Sequence, residues 1–326
     1  MSARLTRWAT AALAVACMAP LAHAQSSSNY PDRTIRIMVG YAPGGGIDTM
    51  ARILAESLSK EVGQSVIVEN RAGAAGMLAA DAVAKAAPDG YTLLMGDTSL
   101  LIAPHIQQKA VMQPLKELKP VAGVFESQLL VVANNNFPAS NPKELIDLIK
   151  ANPDKFSYAT SGIGSIHHMG FEMLKERAGL SILHVPYRGA AQLIPDIVSN
   201  QVPLGVVSYA AGRELAQGGK LKAVALLTAP REGRVSMAAP VADVIPGFSV
   251  GPQQILFAPL ATPDAIVQRI AQAVEKVLAT PEVKEAAARN GVLPAYVPPA
   301  QLAKDLAAES EQWARLVESR GIRIEQ

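Results

Sequence analysis

Cysteine is nearly missing from this sequence. Cys17 is the only one in 326 residues, which leaves no material for an internal disulfide framework or a thiolate metal site. An excess of one charge is missing too: 30 basic against 28 acidic residues give +2, with no long run of either sign. A polyanion partner such as nucleic acid is therefore not expected. Of the two tryptophans only Trp313 lies beyond residue 24, so aromatic stacking platforms for nucleic acid are also absent. No apolar run reaches the roughly 20 residues of a membrane-spanning helix. The H-E-x-x-H zinc pair and the G-x-x-x-x-G-K-[ST] phosphate loop do not occur. What remains is 49% hydrophobic and 18% charged, with 24 Gly and 23 Pro, the composition of a packed globular chain.

The N-terminus has a different character. Arg4 and Arg7 precede a short apolar run from Ala9 to Ala22, and Ala22-His23-Ala24 forms an A-x-A cleavage site. Residues 1–24 therefore read as a secretory signal peptide cut after Ala24. Lipid attachment at Cys17 is the rival reading, but Ala14-Val15-Ala16 lacks the leucine usual before a lipidated cysteine. Loss of Arg4 and Arg7 lowers the basic count to 28, so the mature chain is formally neutral.

Beyond the leader, two α/β patterns follow one another. Residues 34–40, 65–69 and 91–95 are strand-like. Between them lie helical spacing over 47–60 and an alanine-rich helix ending at Ala87. The pattern recurs after residue 126, with strands at 129–133, 156–159, 182–185, 204–208 and 221–227. Helices are expected there at 141–151, 166–178 and 190–199. A strand opening at Gln253 then leads into helical stretches at 263–278, 281–289 and 299–319. Two such units without a floppy linker predict two lobes packed across a cleft, with ligand loops at the carboxyl ends of the strands.

Three loops carry the candidate chemistry. Ala42, Pro43, Gly44 and Gly45 lead into a helix with Asp48 in its first turn. Bare amides at a helix start favour an anion, and Asp48 can satisfy free backbone donors there; a tight turn without a ligand is the alternative. The 160–165 loop offers Ser161, Gly164 and Ser165 in the second unit, where hydroxyls and amides can receive a carboxylate. The turn Gly96-Asp97-Thr98-Ser99 can line the same cleft. His167 and His168 are adjacent, so they point about 100° apart on a helix and do not form a zinc pair. No metal and no cofactor is expected.

Five segments together resemble a known family. They are Tyr30-Pro31, Ala42-Pro43-Gly44-Gly45 with Asp48, Val68-Glu69-Asn70-Arg71-Ala72-Gly73, Ala87 to Leu94 (APDGYTLL) and His184 to Gly189 (HVPYRG). On these the chain resembles the Bug-type solute-binding proteins of tripartite tricarboxylate transporters, over essentially its whole mature length. The resemblance implies an α/β, two-lobed periplasmic binding protein of the type 2, Venus flytrap kind. Lobe 1 would hold 25–126 plus 253–326 and lobe 2 would hold 127–252. It implies a monomer that captures a small organic acid and passes it to integral membrane transporter subunits. Loops 42–48, 96–99 and 160–168 would form the site, contributing Thr98 and Ser99 beside the residues above, with His168 matching a histidine common in the family.

Two positions depart from the family. Val207 and Ser208 stand where an acidic residue followed by Asn is frequent, with Ser208 kept as a candidate ligand contact, and His167 replaces a small hydroxyl residue. Without an acidic partner at 207, carboxylates lacking an α-ammonium group are expected to be preferred over acidic amino acids. A receptor feeding a sensor kinase and a secreted α/β enzyme are the competing functions.

Overall fold

The first strand, β1 (Ile35–Val39), runs through a glycine loop into α1 (Gly46–Val62). Gly63 ends that helix in the left-handed region (φ 71°), donating its N–H to the Ser59 carbonyl. β2 (Val66–Asn70), α2 (Met77–Ala84) and β3 (Thr92–Asp97) complete a parallel β2-β1-β3 ribbon, the doubly wound half expected from the strand–helix alternation. The computed structural model describes residues 30–107, 112–187, 190–229 and 236–323. The leader 1–24, its cleavage point, Cys17 and the Arg188-Gly189 end of the fifth family segment lie outside them. Pro31–Gln326 form one compact unit.

After β3 come α3 (Ser99–Ile106), α4 (Pro114–Glu117) and β4 (Leu118–Ser127), all missed in the sequence. The chain crosses through Gln128 into β5 (Leu129–Ala133), α5 (Pro142–Ala151), β6 (Ser157–Thr160), α6 (Ile166–Ala178) and β7 (Leu183–Pro186). α7 (Ala190–Val198), β8 (Leu204–Ser208), α8 (Tyr209–Gln217) and β9 (Lys222–Leu226) follow. It returns with β10 (Gln253–Pro259), α9 (Asp264–Leu278), α10 (Pro281–Arg289), β11 (Val292–Val297) and α11 (Pro299–Arg320). α8 and β11 were also missed.

The strands form two mixed sheets, one per lobe. The first has the order β11-β4-β10-β3-β1-β2 and the second β7-β6-β8-β5-β9. β10 runs antiparallel between β3 and β4, and β5 antiparallel between β8 and β9. Burial explains the uninterrupted apolar sequence of β5. Leu129, Val131 and Ala133 face a core that also holds Trp313, Leu306 and Phe257, whereas Leu130 and Val132 face a second cluster with Leu193 and Ile197. The larger core is continuous from one sheet to the other.

Candidate functional site

The site begins where β1 ends. A Cβ on Gly40 would collide with the Gly76 backbone, so only glycine lets the two loops meet there. Tyr41 follows, and its hydroxyl donates to both carboxylate oxygens of Asp97 at 2.9 and 3.0 Å. The Ser99 N–H donates to Asp97 Oδ1 at 3.1 Å. Burial raises the Asp97 carboxyl to about 6, even though the Tyr41 and Ser99 hydrogen bonds pull the other way.

Asp48 lies buried beneath the glycine loop. It accepts the Gly44 N–H at 2.8 Å, Arg52 Nε and Nη2 at 3.0 and 2.9 Å, and Asn70 Nδ2 at 2.7 Å. It therefore satisfies a backbone donor just before the helix rather than capping α1, whose N-cap Gly45 has no side-chain bond. The Arg52 hydrogen bond comes first among the causes that hold its carboxyl down at about 2. Because the folded value is depressed, its stabilising contribution is present above the ordinary 3.8 and is lost as pH falls through about 2. Asp48→Asn is expected to cost about 2 kcal/mol at neutral pH and to flatten the acid limb of the unfolding curve over that interval. Urea titrations at neutral pH and in acid check this, and equal stability of the two proteins at neutral pH would refute it.

A cavity of about 350 Å³ opens between the sheets. Tyr41, Gly45, Gly46, Ile47, Asp97 and Gln254 line it from the first lobe, and Ser127 and Pro252 from the crossings between the sheets. His167, Ser208 and Ala210 line it from the second, and Asn290, Gly291 and Val292 close it from the turn before β11. The uncapped N-terminus of α1 thus lies at the cavity wall with its first N–H groups unclaimed by any side chain.

Of the candidate residues, Gly45 and Ser208 line this cavity. Ala42, Pro43 and Gly44 form the exposed shoulder of the same loop. Thr98 is buried beside it, where its N–H donates to the Gln253 carbonyl at 3.1 Å and its hydroxyl accepts the Gln253 N–H at 3.0 Å. Ser99 supports Asp97. In the second lobe the expected helix start is used differently. Ser165 caps α6 by accepting the His168 N–H at 3.2 Å, and Ser161 Oγ pairs with His167 Nδ1 at 3.1 Å. Gly164 donates its N–H to His168 Nδ1 at 3.1 Å.

His168 itself is buried and stacks on His184, ring centroids 4.0 Å apart. The adjacent His167, not His168, reaches the cavity. Burial lowers His167 and His168 to about 4 and His184 to about 3, so all three are neutral at pH 7. The second helix start at the cavity is that of α8, where Ser208 is the N-cap and accepts the Ala211 N–H.

Val207 corrects the selectivity argument. It is buried in the second core beside Leu130 and does not line the cavity, whereas Asp97 places a carboxylate there from the opposite lobe. Gln254 and Gly291 had no local signal in the sequence. Among the described residues no helix is long and apolar enough to cross a membrane.

A family model described as the tripartite tricarboxylate transporter family receptor matches residues 50–322. The protein BugT of Bordetella pertussis is 32% identical over 306 residues, 92% of this chain and 93% of that protein. MatC from Rhodopseudomonas palustris, solved with bound malate, is 30% identical with a TM-score of 0.68, covering 88% of this chain and all of that one. A second R. palustris protein, solved with adipate, is 27% identical with a TM-score of 0.75, over 90% of this chain and 99% of that one. The chain belongs to the receptor family of the tripartite tricarboxylate transporters, as a Bug-type solute-binding receptor.

Proposed function

We propose that the cleft captures a small organic carboxylate, holding it by backbone amides and hydroxyls, and releases it unchanged to integral membrane transporter subunits. The observation that carries this reading is the uncapped start of α1 opening on a cavity that residues of both lobes enclose. No arginine or lysine is among the described lining residues, so the anion is met by N–H groups and the helix dipole rather than by a cationic clamp. Malate in one relative and adipate in another support the ligand class. We further propose lobe limits of 25–126 plus 253–326 and of 127–252. The mature chain would begin at Gln25 and act as a periplasmic monomer without catalysis.

One experiment on protein recovered from the periplasm tests these points. N-terminal sequencing should read from Gln25, and a thermal-shift panel of mono- and dicarboxylates should contain a stabilising ligand. At about 100 times its dissociation constant, a ligand stabilises the fold by roughly 2.7 kcal/mol, a rise of several degrees for a chain of this size. A panel in which no carboxylate shifts the transition, or one that the protein converts to product, would refute the reading.

A further inference from the structure

The cavity floor carries more hydrogen-bond acceptors than the protein supplies donors for. Asp97 on β3 and Gln254 on β10 are directly opposed Cα partners of an antiparallel pair. Opposed side chains lie on the same face of a sheet, with Cβ atoms about 5 Å apart. Both residues line the cavity. Gln254 is 5% exposed, and its Oε1 is buried with no hydrogen-bond partner. Asp97 receives Tyr41 Oη–H, Ser99 N–H and a further hydrogen bond from the Ser99 side chain, still fewer donors than the roughly four lone-pair sites of a carboxylate can use.

A buried acceptor without a donor costs about 1–3 kcal/mol, so this pair favours whatever brings one. A plain aliphatic carboxylate brings none. Its methylenes would leave Gln254 Oε1 unsatisfied, and its charge would lie near that of Asp97 with no described lining cation between them. His167 brings no cation, because burial holds it at about 4, and its neutral ring offers a single N–H shared between two nitrogens, one of which already pairs with Ser161.

We propose that Asp97 and Gln254 form a donor-reading subsite, so that the preferred ligand is a carboxylate with a hydroxyl or ammonium group on a neighbouring carbon. The carboxylate lies at the start of α1 and the donor points at Asp97 and Gln254. This rests on the carboxylate reading of the cleft and narrows it. An ammonium group offers three N–H donors and neutralises Asp97; a hydroxyl offers one. The subsite replaces the preference expected from Val207, since the acceptor absent at 207 is present at 97.

The test compares matched sets by titration calorimetry on the mature chain: succinate, malate and aspartate, then propionate, lactate and alanine, then adipate and 2-aminoadipate. In at least one set the donor-bearing member is expected to bind at least tenfold more tightly than its unsubstituted parent. Asp97→Asn and Gln254→Leu, each first checked for native circular dichroism, should reduce that ratio at least fivefold. Aspartate, alanine or 2-aminoadipate as the best ligand, with Asp97→Asn the more damaging change, identifies ammonium as the donor. Malate or lactate as the best identifies hydroxyl. If one variant does not fold, the other decides. A ratio below tenfold in every set, or one that survives the folded variants, overturns the proposal. Binding by no member of any set would instead bring down the carboxylate reading, and this proposal with it.

Discussion

Replacing Glu172 by alanine is expected to lower the melting temperature by about 6–12 °C at neutral pH. Glu172 lies on α6, one turn below the second-lobe loop, and is 4% exposed. It accepts Tyr158 Oη–H and Lys175 Nζ at 2.6 Å each, and Arg320 Nε from the end of α11 at 2.9 Å. Burial alone would raise its carboxyl. The hydrogen bonds from Lys175 and Tyr158, with the charges of Lys175 and Arg320, outweigh that and hold it below the ordinary range. Removing it leaves the buried Lys175 ammonium without a counter-ion, and breaking such a pair costs about 3–5 kcal/mol. Arg320 is more exposed and adds less.

Glu172→Gln should fall between the two proteins. Its amide oxygen can still accept from Tyr158 and Lys175, but its NH2 group meets the Arg320 donor. The sign with pH follows from the depressed value: the stabilisation is present above the ordinary carboxyl range and is lost on acidification below it. The gap between wild type and Glu172→Gln should therefore narrow in acid. Scanning calorimetry at neutral and acid pH decides, and an alanine variant melting within 2 °C of wild type would show that other contacts hold this layer.

Gly291→Leu is expected to weaken carboxylate binding by about 100-fold, near 2.7 kcal/mol, while leaving the protein folded. Gly291 sits before β11 at φ 68° and packs directly against Ala210 where both line the cavity. Any Cβ there would collide with Ala210 Cβ, and the left-handed backbone adds roughly 1–2 kcal/mol of strain for an L-residue. Separation of the lobes is the cheapest relief, because the turn and the start of α8 belong to different sheets. The variant should melt only a few degrees lower. X-ray scattering should show the wild type contracting with ligand and the variant not contracting. Affinity retained within threefold would mean that the lobes need not meet at this point.

Much of the architecture was legible before the structure. The runs at 129–133, 166–178 and 204–208 coincide with β5, α6 and β8 because each is bounded by clear turn or cap residues. α4 is a single turn, too short for a periodic signal, and the other elements that escaped carry a residue that ordinarily breaks their type. β4 contains Pro120, opposite Phe257 at a register shift, and Gly123, where a Cβ would come within 3.0 Å of Val297. β11 is an edge strand that tolerates Pro294 beside its own irregularity, and α3 contains Pro104. α8 contains Gly212, where a Cβ would meet Leu130 Cδ2 at 2.6 Å. In each case tertiary crowding or an edge position, invisible in a local window, overrode propensity.

The site divides along the same line. The glycine loop before α1 and the Asp97 turn could be found, because strand–loop–helix junctions announce themselves locally. Gln254 joins them only because β10 inserts antiparallel between β3 and β4 from more than 150 positions away. The exchange of roles between His167 and His168 depended on the stacking of His168 on His184, which no spacing rule expresses.

The two crossings of the chain between its sheets have a mechanical consequence. They run side by side and are fastened to each other: Ser127 donates its N–H to the Pro252 carbonyl at 2.9 Å. At Gly251 a side chain would press within 2.7 Å of the Ser127 carbonyl, so the ribbon stays narrow. Two strands joined this way bend readily about one axis and resist torsion, like the leaf of a door on a long pin. Ser127 and Pro252 are also cavity-lining residues, so the pin passes along the bottom of the pocket itself. A closure about this pin would bring Ser208, Ala210 and His167 opposite the same groups of the other leaf, in one alignment rather than many.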